Sequence, residues 1–318
     1  MLRQIKNRVE QGSRFLITTH IDLDGDAVGS CFSLYWALKS LEKEVFVYFR
    51  DKIPYKYRFL PGPAGHQLIL NTLPVDEYDN VFVLDCGDLY RVGEDYEGLK
   101  KSNAFIVNID HHNTNSIFGD INFVDENASS TAEIMYDLFR YLVIDISHEM
   151  AVNIYTAVLT DTGAFRYDNT TNKAFSICEH MTRIGVRPSF VAEKVYESHP
   201  KERFLLLGKV LDTIEICSNG RVVIAYITRE MFQATGATEE HSDGFVEYLK
   251  EIEGIDIAVL IRQLDNGRCK LSMRSKDGAD VAGICRLFGG GGHKKAAGCY
   301  VDGDIEQVKK RFLEVINI

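Results

Sequence analysis

The segment RFLITTHIDLDGDAVGS, residues 14–30, contains a predicted strand joined to a predicted helix through an acidic turn. Residues 14–19 form a mostly apolar run that is typical of a buried strand, and residues 27–41 have the apolar period of a helix. A strand that leads through a turn into a helix is the first unit of an alternating α/β pattern. The turn contains four ionisable side chains: His20, Asp22, Asp24 and Asp26.

The rest of the N-terminal half repeats this alternation. Residues 44–50 alternate between apolar and polar side chains as a strand does, and residues 81–85 and 104–110 are short apolar runs typical of strands buried on both faces. Residues 129–142 and 148–159 have helical periodicity. The pattern therefore predicts an α/β fold, with a mostly parallel sheet covered by helices on both faces.

A charged, helical stretch containing Pro188 and Pro200 separates this half from a second α/β pattern. The second pattern has strands over residues 221–227, 255–263, 268–274 and 295–301, and helices over residues 243–252, 279–288 and 305–316. A chain of 318 residues is long enough for two domains. We predict an N-terminal domain, a helical connector and a smaller C-terminal α/β domain over residues 1–185, 186–216 and 217–318.

Composition and charge narrow the class of protein. Hydrophobic residues make up 45% of the chain and charged residues 26%, which is typical of a globular protein. The formal net charge of -10 disfavours a surface that coats long nucleic acid. The apolar runs are far shorter than the roughly 20 residues of a membrane span. The N-terminus lacks the apolar stretch of an export signal, and the seven cysteines are scattered without a CxxC pair, so we expect a cytoplasmic protein.

Acidic and imidazole side chains recur where the predicted strands and helices of the first domain end. Besides the acidic turn, they are found at the ends of two strands and one helix: Asp85, Asp110, His111, His112 and Asp161. The carboxyl ends of parallel strands meet at one edge of a sheet, where ligands bind. Taken singly, such a residue is more often a helix cap or a solvated charge, but its recurrence in four separate segments favours a shared site.

The types of side chain indicate which metal such a site would hold. Mixed aspartate and histidine ligands suit manganese or another borderline divalent cation. A calcium loop that starts at Asp22 is the alternative, but it needs a glutamate at its twelfth position, and the sequence has none there. The sequence therefore favours a manganese-type site.

Together these residues resemble the motifs of the DHH phosphoesterases, a family named for the triplet that stands here as Asp110, His111 and His112. The resemblance covers nearly the whole chain. It is strongest to the subgroup of nano-RNases that also dephosphorylate adenosine 3′,5′-bisphosphate (pAp). The remaining motifs match, in chain order, His20, Asp24 and Asp26 with Gly29 and Ser30, then Asp85, and finally Asp161.

The resemblance implies a centre of two divalent metal ions, with Mn²⁺ as the expected metal. One ion would be held by His20 and Asp24, the other by Asp26, His111 and Asp161, and both by Asp85. It also implies catalytic roles for Asp85, Asp110 and His112. Asp110 would orient a histidine, and His112 would contact the phosphate or the leaving group, with a buried structural imidazole as the alternative for His112.

The run FGGGGHKKAAG, residues 288–298, is the second strong signal. Consecutive glycines can let backbone amides approach a phosphate, or they can form a flexible loop. The run lacks the Gly-Lys-Ser or Gly-Lys-Thr of a P-loop. It resembles the glycine-rich motif of the DHH-associated C-terminal domain. That resemblance implies a substrate-binding role for six residues: Arg274, Ser275, Gly290, Gly291, Gly292 and His293.

The sequence thus predicts a Mn²⁺-dependent hydrolase of phosphate esters that degrades short oligoribonucleotides to mononucleotides and dephosphorylates pAp. A phosphodiesterase for cyclic or linear dinucleotides is the enzymatic alternative, and a catalytically silent nucleotide-binding module is the alternative of another class. The expected partners are short RNA, pAp or dinucleotides, and neither long duplex nucleic acid nor a membrane. A homodimer is compatible with the sequence.

Overall fold

The computed structural model describes residues 1–66, 69–70, 72–73, 78–94, 96–101, 104–276 and 278–316. The chain forms two compact units, Met1–Ser198 and His199–Ile318. No helix in the described part of the chain is long and apolar enough to cross a membrane.

The N-terminal unit alternates strands with helices. Its strands are β1 (Arg14–Thr18), β2 (Glu44–Tyr48), β3 (Ile69–Leu70), β4 (Asn80–Leu84), β5 (Phe105–Asp110) and β6 (Ile121–Val124). Its helices are α1 (Leu2–Gln11), α2 (Gly25–Ser40), α3 (Tyr96–Lys101), α4 (Thr131–Tyr141), α5 (His148–Asp161), α6 (Asn172–Ile184) and α7 (Pro188–Ala192).

Within the described residues, these strands form one six-stranded sheet in the order β3-β2-β1-β4-β5-β6, and every neighbouring pair is parallel. The chain moves outward from β1 on one side of the sheet and outward from β4 on the other. The loops that leave β1 and β4 therefore diverge and open a crevice at the carboxyl ends of these two strands. Residues that directly follow β1 and β4 lie at that crevice.

Alternate side chains of the central strands enter two separate cores. Phe15 and Ile17 of β1 pack with Phe82 of β4 in a core that includes residues of α2, α4 and α5. Leu16 and Val83 belong to a core on the opposite face, together with residues of α3. Burial on both faces explains why the strand sequences are continuous apolar runs. The predicted α/β fold, with a mostly parallel sheet covered on both faces, is confirmed.

The predicted element boundaries lie within two residues of the observed ones. The helix predicted from residue 27 begins earlier, at Gly25, because Asp24 caps it and its Oδ1 accepts a hydrogen bond from Ala27 N at 2.9 Å. In the N-terminal unit, the sequence pattern did not indicate α1, α3, α6 or the edge strands β3 and β6. Strand β6 is only four residues long and Asn122 interrupts its apolar residues, so the apolar run is too short to indicate a strand.

The C-terminal unit is a second α/β structure. Its strands are β7 (Glu215–Cys217), β8 (Val222–Ile227), β9 (Ile257–Gln263), β10 (Arg268–Ser275), β11 (Gly291–His293) and β12 (Ala296–Asp302). Its helices are α8 (Lys201–Leu211), α9 (Arg229–Thr235), α10 (Phe245–Lys250), α11 (Val281–Leu287) and α12 (Ile305–Ile316). The described strands pair in the order β11-β12-β10-β9-β8-β7, and of these pairs only β8–β9 is parallel, so the sheet is mixed.

Two helices of the N-terminal unit, α2 and α5, approach each other closely. A Cβ added to Gly29 of α2 would lie 2.6 Å from the Asn153 carbonyl oxygen and 3.0 Å from the Ala157 Cβ, both on α5. Backbone atoms of a packed helix cannot move aside as the end of a flexible side chain can, so this position requires glycine. The contact fixes the N-terminal turn of α2 against α5.

We expect Gly29→Ala to destabilise the protein by about 1 to 3 kcal/mol, because the added methyl group overpacks the contact between α2 and α5. Gly208→Ala is the matched control, since Gly208 is an exposed position of α8 with no atom within 4 Å of an added Cβ. It should be neutral or stabilise the protein by up to about 1 kcal/mol. Urea unfolding followed by circular dichroism measures both, and equal midpoints for Gly29→Ala and wild type would contradict the packing argument.

Candidate metal centre

Five element ends meet at one edge of the N-terminal sheet: the carboxyl ends of β1, β4 and β5, the N-terminus of α2 and the C-terminus of α5. In or directly beside them lie the residues predicted for metal binding and catalysis: His20, Asp24, Asp26, Asp85, Asp110, His111, His112 and Asp161. Asp26, Asp85 and Asp110 are at most 2% exposed. The Asp24 side chain, in contrast, is 52% exposed. The fold therefore brings ionisable side chains from distant parts of the sequence into one site, part of which is shielded from water.

Asp85 lies at the centre of this cluster. Its Oδ2 is 3.4 Å from His20 Nε2, and its Oδ1 is 3.6 Å from His111 Nε2. Its backbone has a φ of 52°, in the left-handed region that a residue with a Cβ adopts only at a cost of roughly 1 to 2 kcal/mol. The surrounding structure holds the carboxylate in a position that the local chain disfavours, which is common at functional sites.

Asp85 belongs to three overlapping groups of candidate metal ligands. The first is His20, Asp24 and Asp85, the second is Asp26, Asp85 and His111, and the third is Asp85, Asp110 and His112. Within each group the ligand atoms all lie within 4.8 Å of one another. Asp161 adjoins the second group, because its Oδ2 is 3.6 Å from His111 Nε2. The arrangement is that of two neighbouring sites with a shared carboxylate.

The two histidines are oriented as metal ligands are. His20 Nδ1 is 2.6 Å from the Ile21 carbonyl oxygen, and His111 Nδ1 is 3.3 Å from the Ala128 carbonyl oxygen. Since a carbonyl oxygen can only accept, each Nδ1 carries the proton, and the lone pair of Nε2 in the neutral ring is directed at the carboxylates.

The distances between ligand atoms also fit a metal site. The Nε2 atoms lie 3.4 to 3.9 Å from the nearest carboxylate oxygens, which is longer than a normal hydrogen bond. Around an ion with bonds of about 2.1 Å, neighbouring ligand atoms lie roughly 3 to 3.4 Å apart. The observed separations need only a small contraction to reach that spacing.

The electrostatics of the cluster favour bound cations. Burial and the nearby charge of Asp85 raise the pKa values of Asp26 and Asp161 well above their usual range. Burial also raises the pKa of Asp85, but the nearby His20 imidazole and the charges of the other histidines outweigh it and lower this pKa. Burial lowers the pKa of His20, but Asp85 and Asp24 outweigh it and raise this pKa to about 9. A cluster that retains protons in this way can exchange them for divalent cations.

Asp110 lies beside the first two ligand groups and contacts His112, its neighbour in the third. Asp110 Oδ1 is 2.7 Å from His112 Nδ1 and accepts the His111 backbone N–H at 2.8 Å, and its Oδ2 accepts from Asn115 Nδ2 at 2.6 Å. Burial raises the pKa of Asp110, but the hydrogen bond and charge of His112 outweigh burial and lower it. The carboxylate thus fixes the orientation of the His112 ring.

The N-terminus of α4 makes contacts that the sequence analysis did not predict. The backbone N–H groups of Thr131 and Ala132 donate to the Asp26 carboxylate at 2.6 and 3.0 Å, and Thr131 Oγ1 donates to Asp85 Oδ1 at 3.0 Å. Helix N-termini stabilise carboxylates in this way. The Ser-x-x-Glu pattern at residues 130–133 is a known signal for a helix start, but it does not indicate which carboxylate the helix faces.

Two of the three polar side chains predicted to bind substrate, Arg274 and Ser275, lie in the C-terminal unit at the end of β10. Arg274 Nε donates to Glu247 Oε1 at 2.7 Å. Ser275 is 2% exposed, and its hydroxyl donates to the Ala279 carbonyl oxygen at 2.9 Å. Both side chains therefore have contacts inside the unit, and their roles toward substrate stay predictions.

The glycine run forms a strand in part. Residues Gly291–His293 are β11, which pairs antiparallel with β12. A Cβ on Gly290 would lie 2.3 Å from the Gly298 carbonyl oxygen, and one on Gly292, whose φ is +136°, would lie 2.6 Å from the Ala296 carbonyl oxygen. The close approach of the chain to β12 therefore requires glycine at positions 290 and 292. Gly291 is exposed, with no atom within 4 Å of an added Cβ, so packing does not explain it.

The N-terminal fold and its cluster define an α/β protein with a carboxylate–imidazole centre of the metal-binding type. Residues 14–160 match the DHH family, N-terminal domain, and residues 219–317 match the DHHA1 domain. The chain is 35% identical over 302 residues to the bifunctional oligoribonuclease and PAP phosphatase NrnA of Thermus thermophilus, covering 94% of this chain and 88% of that protein. The chain therefore belongs to the DHH family.

Two further comparisons agree with this assignment. The bifunctional oligoribonuclease and PAP phosphatase NrnA of Bacillus subtilis is 26% identical, with 90% of this chain and 88% of that protein covered. The crystal structure of an exopolyphosphatase-related protein from Bacteroides fragilis superposes with a TM-score of 0.91 at 27% identity, with 99% of this chain and 95% of that chain covered. The likeness extends over both units.

We expect Asp161→Asn to raise the melting temperature of the metal-free protein and to reduce the further rise that Mn²⁺ produces. Burial and the charge of Asp85 raise the pKa of Asp161, so its ionised form destabilises the fold at pH values above that pKa, and an amide removes this cost. Thermal unfolding at pH 8, with EDTA or with MnCl₂, measures both effects. Asp145→Asn, at an exposed aspartate, is the control. An undiminished response to Mn²⁺ would exclude Asp161 from the ligands.

Proposed function

We propose that this chain is a two-metal phosphoesterase that degrades short oligoribonucleotides to mononucleotides and dephosphorylates pAp. The observation that carries the proposal is the pair of ligand groups that share Asp85 at the carboxyl edge of a parallel sheet. The names of the relatives from T. thermophilus and B. subtilis supply the substrate class. We place the enzyme in a reducing compartment such as the cytoplasm, which suits its seven free cysteines.

Six side chains would hold the two metal ions. His20 and Asp24 would bind one ion, Asp26, His111 and Asp161 the other, and Asp85 both. We propose Mn²⁺, because mixed carboxylate and imidazole ligands suit a borderline divalent cation. When bound, a pair of divalent cations lowers the pKa of a water molecule and stabilises the charge that develops on phosphate oxygens.

The other residues of the cluster hold these side chains and the substrate in place. Thr131 and the N-terminal amides of α4 fix the two buried carboxylates, Asp85 and Asp26. Asp110 accepts the Nδ1–H of His112, which leaves His112 Nε2 to contact a phosphate oxygen or the leaving oxygen. His112 is 15% exposed at its side chain, so a ligand can reach it.

We propose that the C-terminal domain, residues 217–318, grips the end of the substrate that does not react. Arg274 would bind a terminal phosphate, for which its guanidinium would exchange its present hydrogen bond with Glu247. The exposed backbone at Gly291, with His293 beside it, would contact the same end of the ligand. In this proposal the chemical step takes place in the N-terminal domain, residues 1–185.

We expect His112→Ala to lower kcat for pAp by about 10² to 10⁴-fold, because a positioned proton donor or phosphate contact is lost. Its Mn²⁺ content should stay near that of wild type, since His112 is not among the proposed ligands. Asp85→Ala should remove both activity and bound metal. His148→Ala, at a histidine outside the cluster, is the control. Loss of bound metal from His112→Ala would instead indicate that His112 is a metal ligand.

A panel of substrates tests the substrate class. With Mn²⁺ present, we expect release of mononucleotide from RNA dimers and pentamers and of phosphate from pAp, at rates well above those for a long RNA strand. Chromatography of the nucleotide products and a phosphate assay measure these rates. Cyclic dinucleotides and inorganic pyrophosphate belong in the same panel. Preference for either of them, or for the long strand, would overturn the proposed substrate class.

A further inference from the structure

One short segment contacts proposed ligands from three other segments of the chain. We call residues 128–132, at the start of α4, the α4 cradle. The carbonyl of Ala128 accepts from His111, the amides of Thr131 and Ala132 hold Asp26, and the Thr131 hydroxyl holds Asp85. A displacement of the α4 cradle would therefore shift ligands of both proposed metal ions together. The contacts that hold the α4 cradle in place therefore also affect the positions of the proposed metal ligands.

Asn169 joins the α4 cradle to Asp161. Its Nδ2 lies 2.9 Å from the Ser129 carbonyl oxygen, 3.1 Å from the Asp161 carbonyl oxygen and 3.4 Å from Asp161 Oδ2. All three neighbours are acceptors, so the amide nitrogen must face them and the orientation of the side chain is fixed. Asn169 Oδ1 is buried, and no donor in the described residues reaches it. The contacts of Asn169 with the rest of the site thus run through one nitrogen.

A half-exposed ion pair between Glu133 and Lys173 also supports the α4 cradle. Glu133 is 3% exposed, and its Oε2 accepts from the Ser129 backbone N–H at 3.1 Å and from the Ser129 hydroxyl at 2.7 Å. Its Oε1 is 3.1 Å from Lys173 Nζ, which also contacts Asp137. Lys173 lies in the first turn of α6, four residues after Asn169. The segment from Asp161 to α6 therefore contacts the cradle directly through Asn169 and indirectly through Lys173 and Glu133.

We propose that Asn169, supported by the Glu133–Lys173 pair, is a positioning residue for the metal centre. It fixes Asp161, at the end of α5, relative to the α4 cradle, which carries the contacts to Asp26, Asp85 and His111. Asn169 touches no reacting atom in this scheme. It acts through Asp161 and Ser129, as residues that hydrogen-bond to metal ligands commonly do. The inference rests on the proposed metal function of the cluster.

The contacts of Ser129 explain why the single side chain of Asn169 can affect the positions of the metal ligands. Its carbonyl accepts from Asn169, and its amide and hydroxyl donate to Glu133, so these three polar groups are bound by the two supports. Ser129 is itself fully buried. Removal of Asn169 leaves the buried Ser129 carbonyl unpaired, and the segment must move or accept water to satisfy it. Movement there changes the spacing between Asp161 and the ligands held by the cradle.

The experiment measures Mn²⁺ binding directly, by electron paramagnetic resonance of free Mn²⁺ during titration of the metal-free full chain. We expect Asn169→Ala to weaken binding by about 10- to 100-fold, the usual effect of removing a group that hydrogen-bonds to a ligand. At saturating Mn²⁺, kcat should return close to the wild-type value. Asn127→Ala is the matched control, because Asn127 is an exposed asparagine beside the cradle that hydrogen-bonds only to Asp125 among the contacts described. It should bind Mn²⁺ as wild type does.

Lys173→Gln is the second variant, since Lys173 is half exposed and its replacement does not threaten folding. It should weaken Mn²⁺ binding in the same direction as Asn169→Ala, and it decides the question if Asn169→Ala fails to fold. If Asn169→Ala folds and binds Mn²⁺ with wild-type affinity, these residues have only a structural role and the inference is overturned. If Asn169→Ala does not fold, wild-type affinity in Lys173→Gln overturns the inference in the same way. Failure of wild type itself to bind Mn²⁺ would refute the proposed function instead.

Discussion

Burial of several like charges at one place is the constraint on which this structure depends. Asp26, Asp85 and Asp161 surround His111 in a site with little access to water, and the pKa values of Asp26 and Asp161 rise in consequence. Ionised carboxylates are disfavoured in such a site unless opposite charge is supplied. The protein supplies part of it through imidazoles, amides and a hydroxyl. Divalent cations are the natural source of the rest.

The sheet topology determines where this cluster can form. The strand order reverses between β1 and β4, so the chain leaves the two central strands in opposite directions and opens a crevice for the residues that follow them. The close contact at Gly29 then sets α2 against α5. As a result, the acidic N-terminus of α2 and Asp161 at the end of α5 lie beside the same crevice.

The cluster also contains two kinds of group: those that would bind metal, and those that hold the metal ligands in position. The candidate ligands come from five element ends, and none of these ends could set the spacing alone. The start of α4 contributes no ligand, but its amides, its carbonyl at Ala128 and the Thr131 hydroxyl contact three of them. Backbone dipoles fixed in a helix end reorganise little, so they define positions more sharply than flexible side chains do.

The amino-acid sequence was enough to predict the α/β class, the parallel N-terminal sheet and the short segments that carry the ionisable residues, because apolar periodicity and strand ends are local features of the chain. It did not reveal the contacts of Thr131 with Asp26 and Asp85 or of Asn169 with Ser129, which join residues 105, 46 and 40 positions apart. Nor did it show that Gly290 and Gly292 are required by the approach to β12. Only the tertiary structure decides such contacts, since they depend on which backbone atoms packing brings within hydrogen-bond or van der Waals distance.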